Sequence, residues 1–125
     1  MTLQEAIDKI DGLKPNQYSP EDKIGWLSQL DMNIFRDVIL THEHRPDLPM
    51  FMGYTSEDLD HSLIAEEPYT ELYIAYLGMK IDEYNNETQR YNNSATMFNS
   101  YMDNYAKYIN KTRMPLNRGN FHIWW

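Results

Sequence analysis

The chain contains no cysteine, so disulfide bonds and thiolate metal sites are excluded from the outset. It has no apolar run approaching the roughly 18–20 residues that a membrane-spanning helix requires. Its opening residues, Met1-Thr2-Leu3-Gln4-Glu5, carry neither a basic region nor an apolar one. They read as no secretory signal, and the expectation is a cytoplasmic product that is not secreted. Positive charge is scarce. With 11 Lys and Arg against 19 Asp and Glu, the net charge is -8, which argues against gripping nucleic acid through clustered basic residues. Glycine is sparse, at 5 of 125 residues, and no glycine-rich phosphate loop is found.

Hydrophobic residues make up 42% of the chain and charged residues 24%, a globular composition sized for a single domain. Aromatics reach 14%, including ten Tyr, and there are eight Met. Ten tyrosines exceed what a small core can bury with every hydroxyl satisfied, and Tyr, Trp, Phe and Met are enriched at interface centres. Composition alone therefore points to a protein that assembles.

The reading along the chain is all-α: a small bundle of about four helices with a long irregular loop and an extended C-terminal tail. Thr2 and Glu5 have the spacing of a capping box, followed by the stripe Leu3, Ala6, Ile7 and Ile10, with Gly12 as a stop. Residues 1–18 thus form a short helix and a linker. Ser19-Pro20-Glu21-Asp22 is a strong start signal, and Ile24, Leu27, Leu30, Ile34, Phe35 and Val38 recur behind it at helical steps, predicting a helix over 19–42. Residues 43–67 hold Pro46, Pro49 and Gly53 and read as a loop in which short strand pairing can occur. Pro68 is expected to open the next helix. From Thr70 to Ile109, apolar residues and tyrosines alternate steps of four and three, a heptad-like seam that includes Tyr84, Tyr91, Phe98, Met102 and Tyr105. Asn85-Asn86 is its weak point, so two helices over 68–113 are favoured over one long helix. Pro115 ends them, and 114–125 is a tail with a turn at Asn117–Asn120. The expected core comprises Ile24, Leu27, Leu30, Ile34, Val38, Leu72, Leu77, Ile81, Phe98 and Met102.

Chemistry-bearing patterns are sparse. His42-Glu43-His44, with Asp47 nearby, is the most metal-like cluster, but positions two apart diverge on a helix, and a helix C-terminus favours histidine for its dipole. The acids Glu57, Asp58, Asp60, Glu66 and Glu67 lack the spacing and central Gly of a calcium loop and read as a solvated loop. No serine sits in a nucleophile elbow. The sequons at Asn86, Asn92 and Asn110 are matches expected of an Asn-rich stretch. The seam aromatics lack interleaved basic residues, so they fit helix packing better than base stacking. No catalytic, cofactor-binding or metal-ligating residue is assigned, and no enzyme activity is expected.

Apolar side chains without a local home mark the candidate interface. In the loop these are Leu48, Met50, Phe51, Met52, Tyr54, Leu59, Leu63 and Ile64; in the tail they are Phe121, Ile123, Trp124 and Trp125. A loop this long and apolar needs a surface, either on its own domain or on a neighbour.

Three stretches resemble the bacteriophage head–tail connector (neck adaptor) family of long-tailed phages and prophages. They are Leu30-Asp31-Met32-Asn33-Ile34-Phe35-Arg36 leading to Thr41-His42-Glu43, then Glu67-Pro68-Tyr69-Thr70-Glu71-Leu72-Tyr73 followed by Tyr76-Leu77, and Tyr91-Asn92-Asn93-Ser94-Ala95-Thr96-Met97-Phe98-Asn99. With their spacing they span roughly residues 26–115. The resemblance implies a small helical virion protein without enzymatic activity or cofactor. It implies a homo-oligomeric ring beneath the portal that joins portal to tail or stopper proteins and lets DNA pass without sequence-specific binding. It places the protein in the host cytoplasm during assembly and then in the virion neck, away from membranes. The alternative from the residues alone is a small helical binding or regulatory module that dimerises through the 84–109 seam.

Overall fold

The Thr2 hydroxyl accepts the Glu5 N–H at 3.1 Å, while the Glu5 carboxylate accepts the Thr2 N–H at 2.8 Å. This reciprocal pair closes the capping box that the spacing predicts. The computed structural model describes residues 1–116. The first helix, α1, covers Leu3–Leu13 and buries Leu3, Ala6, Ile7 and Ile10. It does not stop at Gly12. It runs one residue further and ends where the Lys14 N–H donates to the Ile10 carbonyl at 2.8 Å, because Pro15 follows and drives Lys14 into the extended conformation.

Ser19 caps α2 (Pro20–Ile34): its hydroxyl accepts the Asp22 N–H at 3.2 Å, and Pro20 takes the first helical position. The helix then widens into a π-helical turn over Phe35–Ile39, with the Leu40 N–H donating to the Phe35 carbonyl at 2.9 Å. One extra residue per turn brings Phe35, Val38 and Ile39 inward together with Ile34. Ser19→Ala is expected to lower stability by about 1 kcal/mol. A urea midpoint indistinguishable from the parent chain would show that α2 does not need this cap.

The next helix, α3, covers Glu71–Tyr84 and starts three residues later than Pro68 would place it. Residues 67–70 turn instead: the Tyr69 N–H donates to the Glu66 carbonyl at 2.8 Å, which seats the Tyr69 ring 4.7 Å from Tyr108 and 5.8 Å from Tyr105. The chain breaks between α3 and α4 (Thr88–Thr112) at the predicted asparagines, with Asn86 in the left-handed region at φ 59°.

Helix α3 is central and packs against α1, α2 and α4. Among the expected core residues, Ile24, Leu27, Leu30, Ile34, Val38, Leu72, Leu77 and Ile81 are buried. Phe98 and Met102 are only half-buried, a correction to the expected core. The reason is that α4 leans on α3 by one edge over its first turns. There Phe98 tilts against Tyr76 with ring centroids 5.2 Å apart, and full burial begins only at Tyr105 and Ile109. The seam is likewise interrupted at Tyr84, which is 56% exposed.

Among the described residues there is no strand or sheet. The pairing allowed for within the loop reduces to two isolated antiparallel bridges, Thr2 with Ser62 and His42 with Pro115. Each joins the loop or its entrance to a chain end rather than to itself, because prolines and a 3-10 turn at Ser56–Asp58 interrupt any repeating ladder. No described helix is long and apolar enough to cross a membrane.

Candidate functional site

Asp31 lies on the buried face of α2, four residues after Leu27 and three before Ile34. It is fully buried. Its carboxylate accepts the Tyr73 hydroxyl at 2.6 Å, the Ile64 N–H at 3.1 Å and the Tyr54 hydroxyl. Tyr73 in turn accepts the Ala65 N–H at 2.7 Å. Two helices and both ends of the 54–65 segment thus meet on a single carboxyl group. Burial pushes the Asp31 carboxyl above the usual carboxylate range, against the pull of its three hydrogen-bond donors. Burial and the facing carboxylate push both tyrosine hydroxyls well above their ordinary value, so they stay protonated and keep donating.

The loop is therefore an anchored arm. Gly53, at φ 98°, lets the backbone turn over α2, where the Ser28 hydroxyl accepts the Tyr54 N–H at 2.7 Å and donates to the Tyr54 carbonyl at 3.2 Å. A Cβ at Gly53 would sit 3.4 Å from the Met32 sulfur. Further along, the Leu3 and Gln4 N–H groups donate to the His61 and Leu59 carbonyls, each at 3.0 Å, so the arm also covers the start of α1.

The loop's candidate interface residues divide into three sets. Leu63 is buried in the chain's own core. Leu48, Phe51, Tyr54, Leu59 and Ile64 are half-buried and pack against that core. Phe51 does so between Phe35, at 6.2 Å, and Tyr54, at 4.9 Å. Met50 and Met52 project, at 65% and 82% exposure. Phe121, Ile123, Trp124 and Trp125, and the turn at Asn117–Asn120, lie outside the described residues. Between the arm and the π-helical turn runs a groove of about 540 Å³, floored by Phe35, Ile39, Leu48, Phe51 and Ile64 and edged by Arg45 and Arg113.

The histidines of the metal-like cluster hold the backbone. His42 is buried, with Nδ1 2.8 Å from the Val38 carbonyl and Nε2 2.6 Å from Asn110 Oδ1, which ties the end of the π-helical turn to α4. His44 Nδ1 lies 2.8 Å from the His42 carbonyl. Among the described residues, no three His, Asp or Glu side chains are grouped to hold a metal ion.

Sequence reasoning missed the buried charges. Besides Asp31 these are Asp82, which takes both Lys14 contacts at 2.7 Å and the Ser94 hydroxyl at 3.0 Å, and Lys23, bound to Asp11 at 2.6 Å and to the Tyr18 carbonyl at 2.9 Å. The signal was available: Lys23 and Asp31 flank Leu27 at four-residue steps, a charge on either side of a core position of the same helix face. Near Lys23, Trp26 stacks on Tyr84 at 5.5 Å and 10°, with Tyr18 edge-on to Trp26 at 5.7 Å. Comparison with protein-family models, curated proteins and solved structures finds no significant match for this chain.

Proposed function

We propose that this protein is a structural subunit of a phage head–tail connector, forming a homo-oligomeric ring that joins the portal to tail or stopper proteins and lets DNA pass. The observation that carries the reading is the anchored arm. It is held to an all-helical body by Asp31, Ser28 and the α1 backbone, yet it presents Met50 and Met52 to solvent. Holding two large apolar side chains in water on a fixed arm has an evident use in subunit contact. The three stretches that resemble the connector family support the reading. So do the buried charges Asp31, Asp82 and Lys23, each saturated by internal partners, as suits a scaffold rather than a reactive site. A net charge of -8 suits a conduit that must not hold DNA. The alternative, a module dimerising through the 84–109 seam, has less behind it, since Phe98, Tyr105 and Ile109 of that seam pack on the chain's own core.

Sedimentation velocity and negative-stain imaging of the full chain, alone and with a portal protein, test the proposal. The expected result is a closed ring, free or built on the portal. A fixed dimer at every concentration, indifferent to portal, would favour the dimerising module instead.

A further inference from the structure

The two longest runs without Asp, Glu, Lys or Arg are Tyr91–Met102 and Leu48–Ser56. Neither is swallowed by the core. No residue of Tyr91–Met102 is fully buried, and Met97 is 52% exposed; the second run carries Met50 and Met52. The first run borders a groove of about 260 Å³ between the end of α1, α3 and α4. Its floor is apolar and shallow, with Ile74, Ala75 and Gly78, and its lining includes the two exposed apolar residues Leu13, at 65%, and Met97. The charged groups along it are neutralised from within: Lys14 by Asp82 at 2.7 Å and Glu71 by Lys9 at 2.9 Å. No residue of α2 or of the π-helical turn lines this groove, whereas the arm is carried on α2 through Ser28 and Asp31 and on that turn through Phe35. The projecting tip and the receiving groove therefore occupy different faces of one chain.

We infer that the groove between α1, α3 and α4 seats the Met50–Met52 tip of the arm of a second copy. Two copies that each carry a charge of -8 repel wherever their acidic surfaces meet, so a self-contact is cheapest where both faces are uncharged. A basic partner would favour the acidic surface and gain nothing from this groove. Methionine is unbranched and adaptable, so it fills a shallow, irregular apolar seat without demanding one shape. Because tip and seat differ, the contact is head-to-tail and leaves a free tip and a free seat on every pair, the kind of contact from which rings are built when the rotation between copies closes. The inference rests on the ring-subunit reading and names the contact that reading requires.

The chain's lack of cysteine allows a direct test. Full-length Met52→Cys and Met97→Cys proteins are mixed under a mild oxidant, with Glu21→Cys, exposed on α2, as the control for random collision. The expected product is a 52–97 cross-linked dimer in clear excess over the 52–52, 97–97 and control products, while the double variant gives a ladder. Met97→Glu or Met52→Glu, each at an exposed position, should weaken self-association by about thirtyfold with an unchanged melting temperature. Mixing these two variants should give a 1:1 pair that grows no further. If the parent chain forms rings but 52–97 products match the collision control, the inference falls and the ring reading stands. A parent chain that stays monomeric with and without portal and yields no preferred cross-link overturns both.

Discussion

Asp31→Ala is expected to lower the unfolding free energy by about 3–5 kcal/mol in a denaturant melt, the larger of the polar effects in this molecule. The substitution strands the hydroxyls of Tyr54 and Tyr73 and the Ile64 N–H, and each buried donor left without an acceptor costs about 1–3 kcal/mol. Hydrogen exchange should rise along 54–65 in the same variant, because the arm loses the group on which its two ends converge. A loss below about 1 kcal/mol would mean that water replaces the carboxylate and that the arm is held elsewhere. Asp31→Asn keeps an acceptor and is expected to cost less, about 1–2 kcal/mol, and it removes a titration whose sign is informative. The folded carboxyl keeps its proton to a higher pH than the unfolded chain does. Between the ordinary Asp value and the raised native one, the native state binds more protons, so this group's contribution falls as pH rises through that window and returns on acidification. The stability of the parent chain relative to Asp31→Asn should therefore increase as pH is lowered toward the ordinary carboxylate range. Glu5, Asp37 and Asp58, held low by hydrogen bonds from Thr2, Arg36 and Thr55, act in the opposite direction, but they lie at the surface, where solvent screens them, and they are common to both variants. A flat or inverted difference would show that the three donors outweigh burial at Asp31.

Leu77→Ala is expected to cost about 2–5 kcal/mol, and Phe98→Ala only about 1–2 kcal/mol despite the larger side chain. Leu77 is fully enclosed on the helix that touches all three others, so truncation leaves a cavity that no neighbour can fill without shifting the bundle. Phe98 is only partly covered, and its truncation exposes part of the Tyr76 ring instead of opening a void. Equal losses for the two variants would place the first turns of α4 deeper in the core than the packing against Tyr76 implies. The contrast bears on the proposed self-contact, because a partly covered α4 leaves Met97 exposed.

Burial also sets the state of other tyrosines. Tyr105 is pushed up to about 12 by its enclosure, so like Tyr54 and Tyr73 it remains neutral near neutral pH. The surplus of aromatics thus has two uses. Some hydroxyls bind the arm, as Tyr54 and Tyr73 do from inside and Tyr108 does at the surface through Glu66. Other rings cluster at the surface, as Tyr18, Trp26 and Tyr84 do.

The sequence by itself determined the helical class, the caps of α1 and α2, the break at Asn85–Glu87 and most of the buried stripe. These follow from interactions between near neighbours in the chain: Thr2 with Glu5, Ser19 with Asp22, and the tolerance of Asn86 for a left-handed backbone. It also marked 43–67 as apolar yet non-helical. Only the tertiary structure decided which of those apolar residues face inward. Phe51 and Tyr54 turn in because α2 offers Ser28 and Asp31, and the π-helical turn offers Phe35, in their path, positions sixteen or more residues away that no local pattern connects to them. The late start of α3 has the same origin, since Tyr69 is claimed by Tyr105 and Tyr108. A buried charge reads in sequence as a flaw in an amphipathic face. It becomes intelligible as a joint only when its distant partners are brought beside it, because desolvation makes such a charge tolerable only where several donors or an opposite charge converge.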